Sequence, residues 1–376
     1  MRAFVLISGL ATGGAEKVTV HFLRQLRRTE HQAGICTLTR RHDGPLARET
    51  ETAGIARTDL GARRLADPRA LVRLLRLLQR EDPDIIHAHG QDASILAAAA
   101  RLITARPLVI TRHVLDEPEG SLRQMCRARL ALSALRHADS VIAVSHATAG
   151  RLSGLTALSP KKIRIIPNGI SLEPFLASDL QARGQQLRER LGLSAEERVV
   201  LIPAVLREGK GHEVMLAALP GMQRAIGSLR LVFAGNGNRE AALREQAKPF
   251  GDKVLFLGNF SDIPLLLSAC DLAVLPSMSE ALPTVLIEAA AAGRAVVATR
   301  VGGTAEVVKE HFTGLLVRPN DPEALAAAIV NLLQDPKRLQ AFGAAARKHA
   351  LENCSMELQV QRTLELWSEI IDRRVS

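Results

Sequence analysis

The 376-residue sequence predicts an α/β protein made of two parallel-sheet domains, and three observations carry that expectation. Short apolar runs of strand character alternate with amphipathic helical patterns along the whole chain, the order required by parallel sheets covered by helices on both faces. The length exceeds what a single core usually serves. One stretch, SLEPFLASDLQARGQQLRERLGLSAEER (171–198), breaks the rhythm and reads as a linker with a leading helix. The expected division is therefore 1–170 and 171–355, followed by a closing helix at about 356–376.

The elements follow in order. The opening RAFVLIS is a first strand running into Gly13-Gly14 and the helical AEKVTVHFLRQL, a better reading of these letters than a cleavable leader. QAGICTLT, DIIHAH, PLVITRH, SVIAVS and KIRIIPNG continue the first strand series. PRALVRLLRLLQR is an amphipathic helix that places Arg69, Arg73, Arg76 and Arg80 on one face and Leu71, Leu74, Leu75 and Leu78 opposite. Past the linker the strands are RVVLIPAV, LRLVFAG, KVLFLG, LAVLPS and AVVATR, again separated by helical segments. In parallel sheets, ligands bind beyond the carboxyl ends of the strands. Two such domains facing each other would enclose a deep cleft.

Composition narrows the class of protein. Apolar residues make up 47% and charged residues 23%, ordinary for a globular protein. No apolar run approaches the roughly 18 residues that span a bilayer. Cys36, Cys126, Cys270 and Cys354 are isolated, without disulfide-framework or zinc spacing, and read as buried thiols in a reducing cytoplasm. The net charge of +10 is uneven: residues 1–170 hold 26 Lys/Arg against 15 Asp/Glu, the remainder 23 against 24. A basic first half suggests an acidic partner, such as an anionic membrane surface or a phosphorylated acceptor. With no tyrosine, one tryptophan and nine phenylalanines, the chain lacks stacking platforms, so nucleic acid is not expected. For the arginine face of residues 69–80, a solvated surface and a membrane or acidic-acceptor contact both stand.

The densest chemical signal is EALPTVLIE (280–288). On an unbroken helix Glu280 and Glu288 would lie about 80° apart. Pro283 suits the first turn of a helix TVLIEAAAAG (284–293), which puts Glu280 in the loop before it and Glu288 in its second turn. Between them lie the free amides of a helix N-terminus, a natural anion site. Carboxylates repel phosphate, so they are suited to hydroxyl groups. An anion flanked by hydroxyls describes a nucleotide sugar.

Other features fall at strand ends. Gly13-Gly14 permits close approach of a ligand to the backbone. In LREGKGHE (206–213), Arg207 and Lys210 bracket a glycine and suit a diphosphate, one by its fork and one as a point charge. Gly235 sits in the turn FAGNGNRE. His89 and His113 each end a strand; for His89 a core role and a contact role both remain, and His87 reads as structural. DPD (82–84) looks like a metal-binding Asp-x-Asp but precedes a strand, away from the ligand edge, and reads as a turn.

Taken together, TGGAEKV, PDIIHAHG, ADSVIAVS, IRIIPNGI, KGHEVMLAA, LVFAGNG, the run VLFLGNF to TRVGG and GLLVRPNDPEALAAAI resemble the family 4 retaining glycosyltransferases of the GT-B fold. The resemblance covers essentially the whole chain. It implies a GT-B architecture: two Rossmann-like parallel-sheet domains facing across a cleft, the first for the acceptor and the second for the nucleotide sugar, with the last helix crossing back onto the first. By resemblance, Glu280 contacts the donor sugar, Glu288 the ribose, and the backbone around Leu282, Pro283, Thr284 and Val285 holds the phosphates through its free amides. Lys210 matches the diphosphate lysine and His113 a histidine beside the transferred sugar. Ala204 and Val205 stand where the family has glycine and arginine, leaving Arg207 as the substitute. No metal or other cofactor is expected, since cationic side chains and helix amides can hold a leaving diphosphate.

The implied reaction is retaining transfer of a sugar, uridine-linked by family frequency, to a glycan or lipid-linked acceptor in surface polysaccharide or glycolipid synthesis. The expected location is cytoplasmic, peripheral on the inner face of the plasma membrane. A sugar-nucleotide 2-epimerase and an inactive GT-B binding subunit remain as alternatives.

Overall fold

The computed structural model describes residues 1–10, 13–39, 44–62, 67–113, 121–156 and 158–375. The chain divides into two compact units, Met1–Gly169 with Met356–Ser376, and Ile170–Ser355.

Among its described residues the first unit carries seven strands: β1 (Arg2–Ile7), β2 (Gln32–Thr37), β3 (Arg57–Asp59), β4 (Ile85–His89), β5 (Leu108–Arg112), β6 (Ser140–Ala143) and β7 (Ile163–Ile165). They are ordered β3-β2-β1-β4-β5-β6-β7, with every pairing parallel. Its helices are α1 (Gly14–Leu26), α2 (Pro45–Thr52), α3 (Pro68–Glu81), α4 (Gln91–Thr104), α5 (Leu122–Arg136) and α6 (His146–Leu155). Both sheet faces are covered, so β4, β5 and β6 are buried at every position, as parallel strands require. One face packs on Leu74 and Leu78 of α3, Leu96 of α4, Leu135 of α5 and Leu152 of α6. The other packs on Phe22 and Leu23 of α1, Leu46 of α2, and Trp367 from the C-terminal helix, residues 356–375.

The second unit opens with α7 (Leu180–Arg190) and carries β8 (Arg198–Pro203), β9 (Leu229–Ala234), β10 (Val254–Gly258), β11 (Leu272–Leu275), β12 (Val296–Thr299) and β13 (Gly314–Val317). Between and after them run α8 (His212–Ala225), α9 (Glu240–Ala247), α10 (Ile263–Ser268), α11 (Thr284–Ala291), α12 (Thr304–Val307), α13 (Pro322–Leu333) and α14 (Pro336–Asn353), before α15 (Met356–Val375) rejoins the first unit. The strand order is β10-β9-β8-β11-β12-β13, again all parallel.

Several expectations change. β3 and β13 were not anticipated as strands: β3 is a three-residue polar edge, and β13 is only four residues long. Pro283 lies one position ahead of α11, with an extended ψ of 101°, so the helix starts at Thr284. Cys36 and Cys270 are buried, but Cys126 is exposed on α5 and Cys354 is half-buried. On α3, Leu74, Leu77 and Leu78 are buried, whereas Leu71 and Leu75 are only partly so. Asp82 closes α3 in the left-handed conformation and pairs with Arg106, while Asp84 accepts from the Arg2 amide at 2.7 Å, so DPD is a turn tied into the amino edge of the sheet.

Candidate active site

In the second unit the chain runs from β8 outward to β9 and β10, then returns to β11 on the opposite side of β8. The loops leaving β8 and β11 therefore diverge, which opens a crevice at their carboxyl ends. Lys210 lies on the loop after β8 and Glu280 on the loop after β11. Lys210 Nζ donates to Glu280 Oε1 at 2.6 Å, and the side chains are 17% and 13% exposed.

Four loops are knitted together around this pair. The Met278 amide donates to the Gly209 carbonyl at 2.8 Å, and the Gly303 amide to the Glu280 carbonyl at 3.1 Å. Gly211 has φ +75°, and a Cβ there would fall on the Pro276 carbonyl. The Leu206 amide donates to Asn236 at 3.0 Å and the Arg239 amide to Leu206 at 2.9 Å, which ties the loop after β9 to the same frame. Glycine at 235 and at 237 is required by this packing, because a Cβ would meet the backbone of Ala204 or Leu206. The Gly235 amide donates to the Gly258 carbonyl at 2.7 Å, so Gly235 offers a ligand close approach and no free donor.

Immediately past Glu280, Leu282 and Pro283 are buried, Thr284 and Val285 half-buried, and the first amides of α11 have no partner within their own helix. Glu288 is 9% exposed in the second turn. The structure thus brings Lys210, Glu280 and the start of α11 to one switch point. It does not bring Arg207 into their pairing: that side chain is exposed and makes no hydrogen bond or ion pair among the described residues. Val205, where the resemblance implies an arginine, is 44% exposed on the same loop.

Sequence reading missed His212, the first residue of α8. It is fully buried, edge-on to Phe233 at 5.1 Å, and neither ring nitrogen has a partner among the described residues; burial holds its pKa down to about 4. It also missed the buried hydroxyls of Ser277, on the loop after β11, and Thr304, the first residue of α12, both without partners among the described residues. The only sequence signal was proximity to the motif residues.

In the first unit the switch point lies between β1 and β4. Gly13 caps α1 in an extended conformation, and a Cβ there would strike the Glu16 carboxylate. Glu16 folds back over the start of the helix, and burial raises its pKa. An anion binding to the Gly13-Gly14 amides would have to displace that carboxylate.

His87, His89 and His113 form a row at the ends of β4 and β5. His89 and His113 stack at 5.3 Å, and His87 lies 4.3 Å from His89. Thr19 Oγ1 donates to the Ala15 carbonyl at 2.8 Å and lies 3.3 Å from His89 Nδ1. His89 Nδ1 also faces His113 Nε2 at 3.0 Å, and one of these two nitrogens donates to the other. His113 Nδ1 is a buried atom with no partner among the described residues. Burial first, and the neighbouring Arg112 second, hold the His113 pKa down to about 4, so near neutrality it is uncharged. His87 donates to or accepts from Thr111 Oγ1 at 2.7 Å and packs edge-on to Trp367, a core role.

Among the described residues no group of three or more His, Cys, Asp or Glu is placed to hold a metal ion.

Comparison with known proteins identifies the family. The profile of the glycosyl transferases group 1 matches residues 184–349, and that of glycosyltransferase family 4 matches residues 12–174. A GDP-mannose-dependent alpha-(1-6)-phosphatidylinositol monomannoside mannosyltransferase of Mycolicibacterium smegmatis is 30% identical over 318 residues, 81% of each chain. The chain belongs to the family 4, group 1 glycosyltransferases. A D-inositol 3-phosphate glycosyltransferase of Segniliparus rotundus is 32% identical over 65% of this glycosyltransferase, which spans 57% of that relative's length. Among solved structures, Anabaena HepE in complex with UDP superposes with a TM-score of 0.86 at 24% identity, covering 98% of this chain and 100% of that one. A sucrose-phosphate synthase of Thermosynechococcus elongatus gives 0.82 at 22%, covering 99% and 100%. The glycosyltransferase has the GT-B fold. Lys210, Glu280 and Glu288 lie in the group 1 region, and Gly13, His89 and His113 in the family 4 region.

Proposed function

We propose that this glycosyltransferase moves a sugar from a nucleoside-diphosphate donor to a glycan or lipid-linked acceptor, with retention of anomeric configuration. The second unit holds the donor and the first serves the acceptor. The observation that carries the reading is the Lys210–Glu280 pair at the switch point, beside the start of α11. Lys210 and the α11 amides meet the diphosphate, Glu288 accepts from the ribose, and Glu280 accepts from hydroxyls of the sugar. Binding of the donor divides the Lys210–Glu280 pair, each partner exchanging the other for its own part of the ligand. His113, held neutral by burial, is the histidine assigned to the transferred sugar. Arg207 swings from solvent onto the diphosphate as the charge on the leaving group grows.

In the reaction the bond from the anomeric carbon to the diphosphate oxygen breaks. The acceptor oxygen bonds that carbon on the same face, and its proton passes to the departing phosphate oxygen. No carboxylate serves as nucleophile, and the cationic side chains and helix amides take the place of a metal ion. Uridine is the base expected from family frequency, and the UDP complexes of the Anabaena neighbour suit it; guanine is its rival, through the GDP-mannose-dependent relative. The mannosyltransferase named for a phosphatidylinositol mannoside supports a lipid-linked acceptor, at home on the inner face of the plasma membrane.

Incubation with a panel of UDP- and GDP-sugars, with and without EDTA, tests the proposal. Free nucleotide released at an undiminished rate in EDTA is the expected product. Accumulation of an epimer would make the protein an isomerase. No turnover of any donor would favour an inactive binding subunit. Activity lost to EDTA and restored by Mg²⁺ would overturn the metal-free account.

A further inference from the structure

The first unit has one helical layer whose outer surface is both basic and apolar. Helices α3, α4 and α5 lie side by side on one face of the sheet, sharing a core through Leu74, Leu78, Leu96 and Leu135. Together they hold nine arginines against two acids, Glu81 and Asp92, an excess of seven within a chain whose net charge is +10. On α3, Arg80 pairs with Glu81 and Arg73 donates to the Leu60 carbonyl; on α5, Arg127 pairs with Asp92. Arg69, Arg76, Arg123, Arg129 and Arg136 are exposed, and their side chains have no hydrogen bond or ion pair among the described residues. A surface meant only for water would intersperse acids among these bases.

Exposed large apolar side chains share the layer. Leu122 is 77% exposed, Leu102 67%, Ile103 62%, Leu130 56% and Val72 46%. Val72, Leu122 and Leu130 lie on the two helices that carry the unpaired arginines, and Leu102 and Ile103 on α4, whose single arginine, Arg101, pairs with Asp139; the second unit's exposed apolar residues are scattered over separate loops. Nucleic acid or an acidic protein would use the charge and gain little from isolated aliphatic tips. A bilayer of anionic lipid uses both, the guanidinium groups at the phosphates and the aliphatic tips in the acyl boundary.

We propose that the outer face of α3, α4 and α5 docks this glycosyltransferase on an anionic lipid surface. The inference rests on the composition of this layer and not on which donor the second unit binds, so it stands if the donor assignment fails. Docking of this kind holds the enzyme in the plane from which a lipid-linked substrate is drawn.

The test is sedimentation of the full chain with vesicles of phosphatidylcholine alone or of an equal mixture with phosphatidylglycerol. Wild-type protein is expected on the mixed vesicles and not on phosphatidylcholine. Reversing Arg69, Arg76, Arg123 and Arg129 to Glu should weaken binding at least about 30-fold, since each basic residue near an anionic surface contributes about five-fold. The same reversal at Arg190, Arg318, Lys337 and Lys348, exposed in the second unit, should change it far less. Leu122→Gln with Leu130→Gln should weaken binding about ten-fold in salt high enough to screen the charges. Unchanged thermal unfolding and unchanged nucleotide binding establish that each variant is folded. Equal loss from both charge reversals would overturn the assignment to this face. So would RNA binding as tightly as the mixed vesicles with the leucine variant unaffected, which would make the layer a purely ionic surface. Failure of the wild-type protein to prefer anionic vesicles would overturn the proposal outright.

Discussion

Glu280 Oε1 accepts from Lys210 Nζ at 2.6 Å. Substituting the amide should leave that loop in place but remove the charge that holds the sugar. Glu280→Gln is therefore expected to abolish sugar transfer while leaving nucleotide affinity nearly intact, measured by product analysis and calorimetry. Glu288→Ala should instead weaken nucleotide binding by about 1–3 kcal/mol, as for the loss of a charge-assisted hydrogen bond. Equal loss of nucleotide binding in both would contradict this division of labour. Arg207 makes its contribution late, if the leaving group recruits it from solvent. Arg207→Ala should lower kcat/KM about 10²-fold, more through kcat than through ground-state binding, and Arg207→Lys should recover only part. Wild-type kinetics in Arg207→Ala would leave Lys210 and the α11 amides to hold the phosphates alone. At this scale the sequence was legible where a residue type carries its own chemistry, as with Glu280, Glu288 and Lys210. It was not legible where the role comes from burial, as with His212, or from a neighbour in space, as with Glu16 folded over Gly13.

The loops at the carboxyl ends of β8, β9 and β11 form a single frame, because their backbones donate to one another and their glycines leave room for the contact. Two glycines of one loop separate strain from contact. Gly209 (φ +81°) has open space where a Cβ would go, so Gly209→Ala should cost about 1 kcal/mol from the left-handed backbone alone. Gly211 (φ +75°) is pressed on the Pro276 carbonyl, so Gly211→Ala should cost at least about 3 kcal/mol and also loosen nucleotide binding. Urea unfolding of the two variants checks this, and equal costs would mean the loops are not locked together. The alternation of apolar strand and helix made eleven of the thirteen strands legible, because buried parallel strands are continuous apolar runs. The two unforeseen strands escape for the opposite reason. β3 is an edge of three residues, Arg57, Thr58 and Asp59, and β13 is four residues beyond a single-turn helix, so neither carries enough pattern to stand out.

Across the molecule, buried imidazoles link stability to pH. Burial holds the pKa of His87 down to about 3, and those of His113 and His212 to about 4, against an unfolded value near 6.5. The unfolded chain therefore takes up protons that the folded protein refuses. The stability these groups contribute is full above pH 6.5 and falls as the pH drops towards 4, by up to about 1.4 kcal/mol per pH unit for each histidine. His212→Phe should make the acid slope shallower by one proton in urea unfolding at stepped pH; an unchanged slope would mean His212 is protonated in the folded state. The family assignment and the GT-B architecture were legible in the sequence because motifs span the whole chain. The pairing of Lys210 with a carboxylate 70 residues later was not, since it depends on how the strands cross at the switch point. Calorimetric titration of the full chain with UDP and GDP tests the central claim, that this switch point is a nucleoside-diphosphate site, most directly. One of the two nucleotides should bind, and Lys210→Ala should weaken it at least about ten-fold. Binding unaffected by Lys210→Ala, or no binding of either nucleotide, would contradict it.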